Sequence, residues 1–147
     1  PHAQGWGVDI SEKALACAQH NGTVHGVSDR LRLVQSCWFQ NVQGRFDIII
    51  SNPPYIPTQD IKTLDENVRK YDPLSALDGG ENGLKSYEQV LKGLEPHTYA
   101  HTRIFFEIGY DQNQKLMDLL TSYNIKYIQT YPDYNGNNRV MELAVVS

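Results

Sequence analysis

Phe46-Asp47-Ile48-Ile49-Ile50-Ser51-Asn52-Pro53-Pro54-Tyr55 decides how this chain is read. The run 46–50 is continuous and rich in β-branched residues, the pattern of a strand buried on both faces of a parallel sheet. Two prolines then end it, because proline donates nothing to a ladder and has a fixed φ. A buried strand therefore stops at a stiff turn. Ligands of open α/β sheets bind beyond the carboxyl ends of the strands, so residues 52–55 are the first place to look for a site.

Working outward, residues 6–10 read as a short apolar strand. Ser11 follows as a helix N-cap with Glu12 in the first turn, and Ala14, Leu15, Cys17 and Ala18 recur at helical spacing. Asn21-Gly22 reads as the C-terminal cap of that helix. Residues 30–35 alternate as a strand. Beyond the prolines, residues 58–78 are polar and mixed, a loop with a helical turn or two. Leu84, Tyr87, Val90, Leu91 and Leu94 line one face of a helix over 84–94. A strand over 103–108, a helix over 111–123 and strands over 125–131 and 140–146 complete the chain. The short connection 132–139 predicts an antiparallel hairpin. Strands alternating with helices imply one doubly wound α/β domain over residues 1–147. The strand ends then carry Asp9, Cys37-Trp38-Phe39, Asn52-Pro53-Pro54-Tyr55 and Glu107-Ile108-Gly109.

Composition narrows the function. At 147 residues, 40% hydrophobic and 20% charged, the chain can build one core and is not disordered. The net charge of -4, with signs interspersed, gives no broad footprint for a phosphate backbone. Two cysteines and five scattered histidines make neither a disulfide framework nor a metal-ligand spacing, so no metal is expected. No apolar run reaches the ~18 residues of a membrane span, and no signal peptide opens the chain. A reducing, cytoplasmic setting is expected.

Asp9 can accept both hydroxyls of a ribose. That suits a nicotinamide dinucleotide and S-adenosylmethionine equally, and a helix-capping role competes with both. Trp38 and Phe39 can flank an adenine or pack in the core. The 52–55 turn is more specific. An amide or nucleobase amino nitrogen has its lone pair delocalised and is a poor nucleophile. Acceptors on its two N–H groups hold it with the lone pair available, and the Asn52 side-chain oxygen and the Pro53 carbonyl can supply them. Tyr55 can lay its ring against the planar group. If the donor is a sulfonium, no strong base is needed, and positioning contributes up to about 7–11 kcal/mol. The same acceptors stabilise positive charge developing on nitrogen. A plain Asn-Pro-Pro turn is the structural alternative.

These residues resemble the bacterial release-factor glutamine methyltransferases of the HemK type, over essentially the whole chain. Gly7-Val8-Asp9-Ile10-Ser11 resembles that family's second-strand motif, and residues 47–56 its active-site motif. Val68-Arg69-Lys70-Tyr71-Asp72-Pro73, with Ala76-Leu77-Asp78-Gly79-Gly80 and Gly83-Leu84, is similar to a block that most nucleic-acid methyltransferases with the same tetrapeptide do not share. Glu107-Ile108-Gly109 and Asp133-Tyr134 with Asn138-Arg139-Val140 also fit.

The resemblance implies a Rossmann-like S-adenosylmethionine methyltransferase sheet with a terminal antiparallel hairpin. It implies the cofactor S-adenosylmethionine, bound by Asp9 at the ribose, by Trp38 at the adenosine and by Asn52. Asn52, Pro53, Pro54 and Tyr55 would frame the amide. The substrate would be the glutamine of the Gly-Gly-Gln motif in peptide chain release factors, the product N5-methylglutamine, and the setting translation termination. Cys37 stands where relatives often have Asp, and Asp72 where Glu is usual. The family's N-terminal helical domain and its glycine-rich first strand have no counterpart in these residues. The chain is thus expected to be part of a longer protein, with a gap between the strands ending in Asp9 and Asn52, and to be inactive alone. The rivals are a nucleic-acid methyltransferase acting on adenine or guanine, a nicotinamide-dependent oxidoreductase, and a non-catalytic domain that docks on release factors.

Overall fold

The computed structural model describes residues 2–146. The chain divides between Gly44 and Arg45 into two compact units. In the first, strand β1 (Gly5–Asp9) leads into helix α1 (Glu12–Val24), a 3-10 turn (Ser28–Arg30) and strand β2 (Leu31–Gln35). The two strands pair in parallel, Gly5 opposite Leu31 and Asp9 opposite Gln35. A parallel pair needs a crossover, and α1 supplies it. Ser11 caps that helix as expected, its hydroxyl accepting from the Ala14 amide at 3.3 Å.

The end of α1 differs from the sequence expectation. Gly22 is not a cap but a buried residue inside the helix. A Cβ there would lie 2.8 Å from the Leu31 side chain, so the glycine serves helix–strand approach. The left-handed residue past the helix is Gly26, φ 62°, consistent with the way glycine ends helices.

In the second unit, β3 (Phe46–Ser51) is followed by the short helices α2 (Glu66–Tyr71) and α3 (Leu74–Leu77), then α4 (Lys85–Gly93), β4 (Thr98–Glu107), α5 (Asn113–Leu120), β5 (Ile125–Pro132) and β6 (Asn138–Val145). The sheet order is β3-β4-β6-β5. β3 and β4 run parallel, while β6 lies antiparallel to both β4 and β5. The terminal hairpin expected from the sequence is therefore present, with its second strand inserted beside β4.

The core of this unit is Tyr87, Val90, Leu91 and Leu94 from residues 87–94, Ile104 and Phe106 from β4, Leu116 and Leu120 from α5, and Met141 and Leu143 from β6. The 87, 90, 91, 94 spacing is one helical stripe. Each such side chain contributes about 1.5–3 kcal/mol by burial. Buried Thr102 pins the register of β4: its hydroxyl donates to the Phe46 carbonyl at 2.6 Å and accepts from the Tyr99 amide at 2.8 Å.

β3 departs from the sequence reading. Ile48 is 59% exposed and Ile50 77%, so one face of the strand is not buried. Among the described residues β3 is hydrogen-bonded to β4 alone, and β1 to β2 alone. Val8 and Ile10, in the first unit, are likewise exposed. The apolar pattern was legible, but β-branching reports what a face can bury, not whether a neighbour covers it. No helix among the described residues is long and apolar enough to cross a membrane.

Candidate active site

The first unit holds Asp9 and Trp38. Asp9 ends β1, and its Oδ1 accepts from the Ser11 amide at 2.7 Å. The carboxylate therefore shapes the strand-to-helix turn while Ser11, not Asp9, caps α1. Asp9 is exposed. Its carbonyl accepts from the Ser36 amide at 3.0 Å, and Gln35 Nε2 reaches the Ile10 carbonyl at 3.1 Å. These bonds lash the end of β1 to the loop that carries Trp38. Ser36, in turn, accepts from the Asn41 amide at 2.9 Å, closing the loop on itself. Trp38 is partly exposed and has φ 52°. A left-handed backbone costs an L-residue roughly 1–2 kcal/mol, and such strain concentrates at functional positions. Cys37 is an exposed free thiol beside it.

The second unit holds residues 52–55. Pro53 is fully buried, which anchors the turn, whereas Asn52 is exposed. Among the described residues no hydrogen bond engages the Asn52 side chain, so its amide is available to a ligand. The turn does not stand alone. Just past it, the Ile56 amide donates to the Leu77 carbonyl at 3.1 Å, and the Gly79 amide to the Ile56 carbonyl at 2.8 Å. Thr58 adds a backbone bond to Gly80 at 3.0 Å and a hydroxyl bond to Asp78 Oδ1 at 2.6 Å. The Thr58 hydroxyl and then the Gly80 amide, which donates to the same Asp78 Oδ1 at 2.9 Å, hold the Asp78 carboxyl below its ordinary pKa. The two sequence blocks 52–56 and 76–80 thus zip together. Their glycines have a steric reason as well: a Cβ on Gly79 would lie 2.8 Å from Tyr55 backbone atoms, and one on Gly83 2.4 Å from the Tyr55 carbonyl oxygen.

Tyr55 sits at the centre of a polar network. Its hydroxyl lies 3.5 Å from Glu107 Oε1, at the limit of hydrogen bonding, and accepts from Arg139 Nη1 at 3.4 Å. Burial and then the Glu107 carboxylate push the Tyr55 phenol above its ordinary pKa, so it stays protonated at neutral pH. Tyr87, buried in the core, donates to the Glu107 carbonyl at 2.7 Å, and Arg139 Nη1 to the Ile108 carbonyl at 3.1 Å. The end of β4 is therefore fixed by side chains. Glu107 does not cap α5, whose N-cap residue is Gln112 and which has no side-chain cap hydrogen bond.

Two residues escaped the sequence reading of the site. Gln112 bonds the Tyr55 carbonyl, and Arg139 bonds the Tyr55 hydroxyl. Arg139 fell within a recognised stretch without a role. For Gln112 the only local signal is a glutamine three residues after the strand-ending Gly109.

With this geometry in hand, known proteins are informative. The family model described as methyltransferase small domain matches residues 1–69. A release factor glutamine methyltransferase of Agrobacterium fabrum is 40% identical over 139 residues, covering 95% of this chain and 48% of that protein. A protein of the same name from Cereibacter sphaeroides is 36% identical over 141 residues, covering 96% of this chain and 51% of its own. The chain thus spans about half the length of these relatives. Among solved structures, a ribosomal protein L11 methylase from Lactobacillus delbrueckii subsp. bulgaricus superposes with a TM-score of 0.70 at 15% identity, over 98% of this chain and 58% of that one. At that identity the likeness speaks for the fold: this is the α/β fold of methyltransferases.

Proposed function

We propose that this chain, a relative of the release factor glutamine methyltransferases, is the part of a methyltransferase domain that carries both the nucleoside-binding and the amide-binding residues. The reaction is transfer of a methyl group from S-adenosylmethionine to the side-chain amide nitrogen of the glutamine in the Gly-Gly-Gln motif of peptide chain release factors. The observation that carries this reading is the state of Asn52: exposed, with no hydrogen bond to its side chain among the described residues, and set on a turn whose proline is buried and whose far end is tied down.

The residues present fit the nucleoside end of such a donor. Asp9 is exposed and gives one carboxylate oxygen to its own turn, and its second oxygen can take a ribose hydroxyl. Trp38 offers a partly exposed indole on the loop bonded to Asp9. S-adenosylmethionine supplies a methyl group on a sulfonium centre. The work left to this chain is positioning. The Asn52 oxygen and the Pro53 carbonyl accept the two N–H groups of the substrate amide, which presents the nitrogen lone pair and stabilises the charge it acquires. The protonated Tyr55 phenol, held by Arg139, supports the planar group. No side chain needs to remove a proton before bond formation, because the nitrogen loses it readily once methylated.

The test is methyl transfer by the full-length protein to purified release factor, with DNA and RNA beside it as alternative acceptors. Methylation of the release factor alone is expected. Asn52→Ala is expected to lower turnover by at least about a hundredfold while leaving stability within about 0.5 kcal/mol, since the side chain is exposed and unbonded. Undiminished turnover would remove the mechanism, and methylation of nucleic acid instead would remove the substrate.

A further inference from the structure

We infer that Gln112 is a positioning residue for the methyl-acceptor turn, acting as a buried clamp on the Tyr55 carbonyl. Gln112 is 2% exposed. Its Nε2 donates to the Tyr55 carbonyl at 2.8 Å and to the Gly83 carbonyl at 3.3 Å. Its Oε1 accepts from the Gly109 amide at 3.0 Å. Both amide hydrogens and the amide oxygen are thus used, each on a different segment. The backbone settles which end is which, since Gly109 offers an N–H and the other two offer carbonyls.

The prolines make such a clamp necessary. Pro53 and Pro54 have no N–H, so the turn has no backbone donors over those two residues. It can be held only through buried rings, through its carbonyls and through its ends. The β3 ladder holds one end at Ser51. The Tyr55 carbonyl is the last handle before the 56–80 zipper, and Gln112 grips it. Three glycines leave room for that grip. A Cβ on Gly83 would lie 2.5 Å from Gln112 Nε2 and 2.4 Å from the Tyr55 oxygen, and one on Gly109 2.9 Å from Gln112 Oε1. A Cβ on Gly79 would meet the Tyr55 backbone itself at 2.8 Å. The glycines at 79, 83 and 109 therefore share one cause: they let three loops close around a single amide and the Tyr55 peptide.

Gln112 acts through the turn and touches no substrate, and its role rests on reading residues 52–55 as the amide-binding element. Misplacing an acceptor by about 1 Å costs on the order of a hundredfold in rate. The experiment uses the full-length protein with Gln112→Leu and with Gln112→Glu, which keeps the size but turns two donors into acceptors. Leu120→Ala, a buried apolar truncation at the other end of α5, controls for plain destabilisation. Per folded molecule, both Gln112 variants are expected to lose about a hundredfold in kcat, with the donor KM changed by less than about threefold, while Leu120→Ala keeps kcat within about threefold. Amide exchange is expected to quicken by at least about tenfold at Gly79 in both Gln112 variants, and at Gly109 in Gln112→Leu, which removes its acceptor, and not in the control. A Gln112 variant with wild-type kcat, or a control that loses as much, overturns the clamp. If the unaltered protein methylates no release factor, the function proposed above fails separately, and exchange alone then decides: unchanged protection at Gly79 and Gly109 overturns the clamp. Should Gln112→Leu not fold, the isosteric Gln112→Glu carries both measurements.

Discussion

Arg139 reaches from the start of β6 to Tyr55, 84 residues earlier in the chain, and donates to its hydroxyl at 3.4 Å. The same nitrogen serves the Ile108 carbonyl at 3.1 Å, and the other terminal nitrogen lies 3.4 Å from Asp133 Oδ2. One guanidinium thus ties the 52–55 turn, the end of β4 and the β5–β6 loop together. Its rigid fork allows this, and a lysine ammonium cannot reproduce it. Arg139→Ala is expected to destabilise the protein by about 1–2 kcal/mol, a value held down by its partial exposure. Arg139→Lys should recover less than half of that loss. Urea denaturation of the two variants checks both statements.

Gly83 and Gly136 both have a left-handed backbone, φ 75° and 84°, but different surroundings. A Cβ at 83 would collide with the Tyr55 carbonyl, whereas one at 136 would meet nothing within 4 Å. Gly136→Ala should cost about 1 kcal/mol, the strain alone. Gly83→Ala should cost at least twice that, because the clash adds to the strain. Equal urea midpoints for the two variants would show that the loops at 83 and 55 are not closely packed.

Glu142 is a buried carboxylate on β6. Tyr131 donates to its Oε2 at 2.6 Å, Gln129 Nε2 to the same oxygen at 3.1 Å, and Arg103 to Oε1 at 3.1 Å. The bonds from Tyr131 and then Gln129 hold its pKa below the ordinary carboxylate value, with Arg103 adding attraction. A carboxyl lowered on folding stabilises the native state above its unfolded pKa, about 4.3, and that stabilisation is lost as pH falls through the lower folded value. Glu142→Gln is therefore expected to lower the urea midpoint at pH 7. Below about pH 4 the gap to the unaltered protein should narrow. A gap that stays constant down to pH 3 would show that this carboxylate is not the acid-sensitive group.

Trp38 pairs a left-handed backbone with a partly exposed indole. Trp38→Gly relieves the strain of roughly 1–2 kcal/mol and gives up a partly buried ring of comparable worth. Stability should therefore change little, with a Tm shift of only a few degrees. Binding of S-adenosylhomocysteine by the full-length protein should weaken by about five- to tenfold, the worth of a lost aromatic stack. Calorimetry reads the second effect and thermal melting the first. A large Tm loss with unchanged affinity would make Trp38 a packing residue.

Local signals in the chain carried most of the elements and half of the site. The stripe at 87, 90, 91 and 94, the cap at Ser11 and the proline stop after β3 each depend on neighbours within a turn or two, so they could be read directly. Asn52-Pro53-Pro54-Tyr55 and the Ala76 to Gly83 block were visible as separate stretches for the same reason.

What the chain could not display was every relationship set by contact between distant segments. The pairing of Ile56 with Asp78, the grip of Gln112 on Tyr55 and the reach of Arg139 join residues 22, 57 and 84 positions apart. None has a periodicity to betray it. Gly22 looked like a helix end because glycine serves equally for a left-handed cap and for close packing, and only the position of Leu31 distinguishes the two. The isoleucines of β3 looked buried because residue type records an affinity for burial, while burial itself depends on what the fold lays against each face.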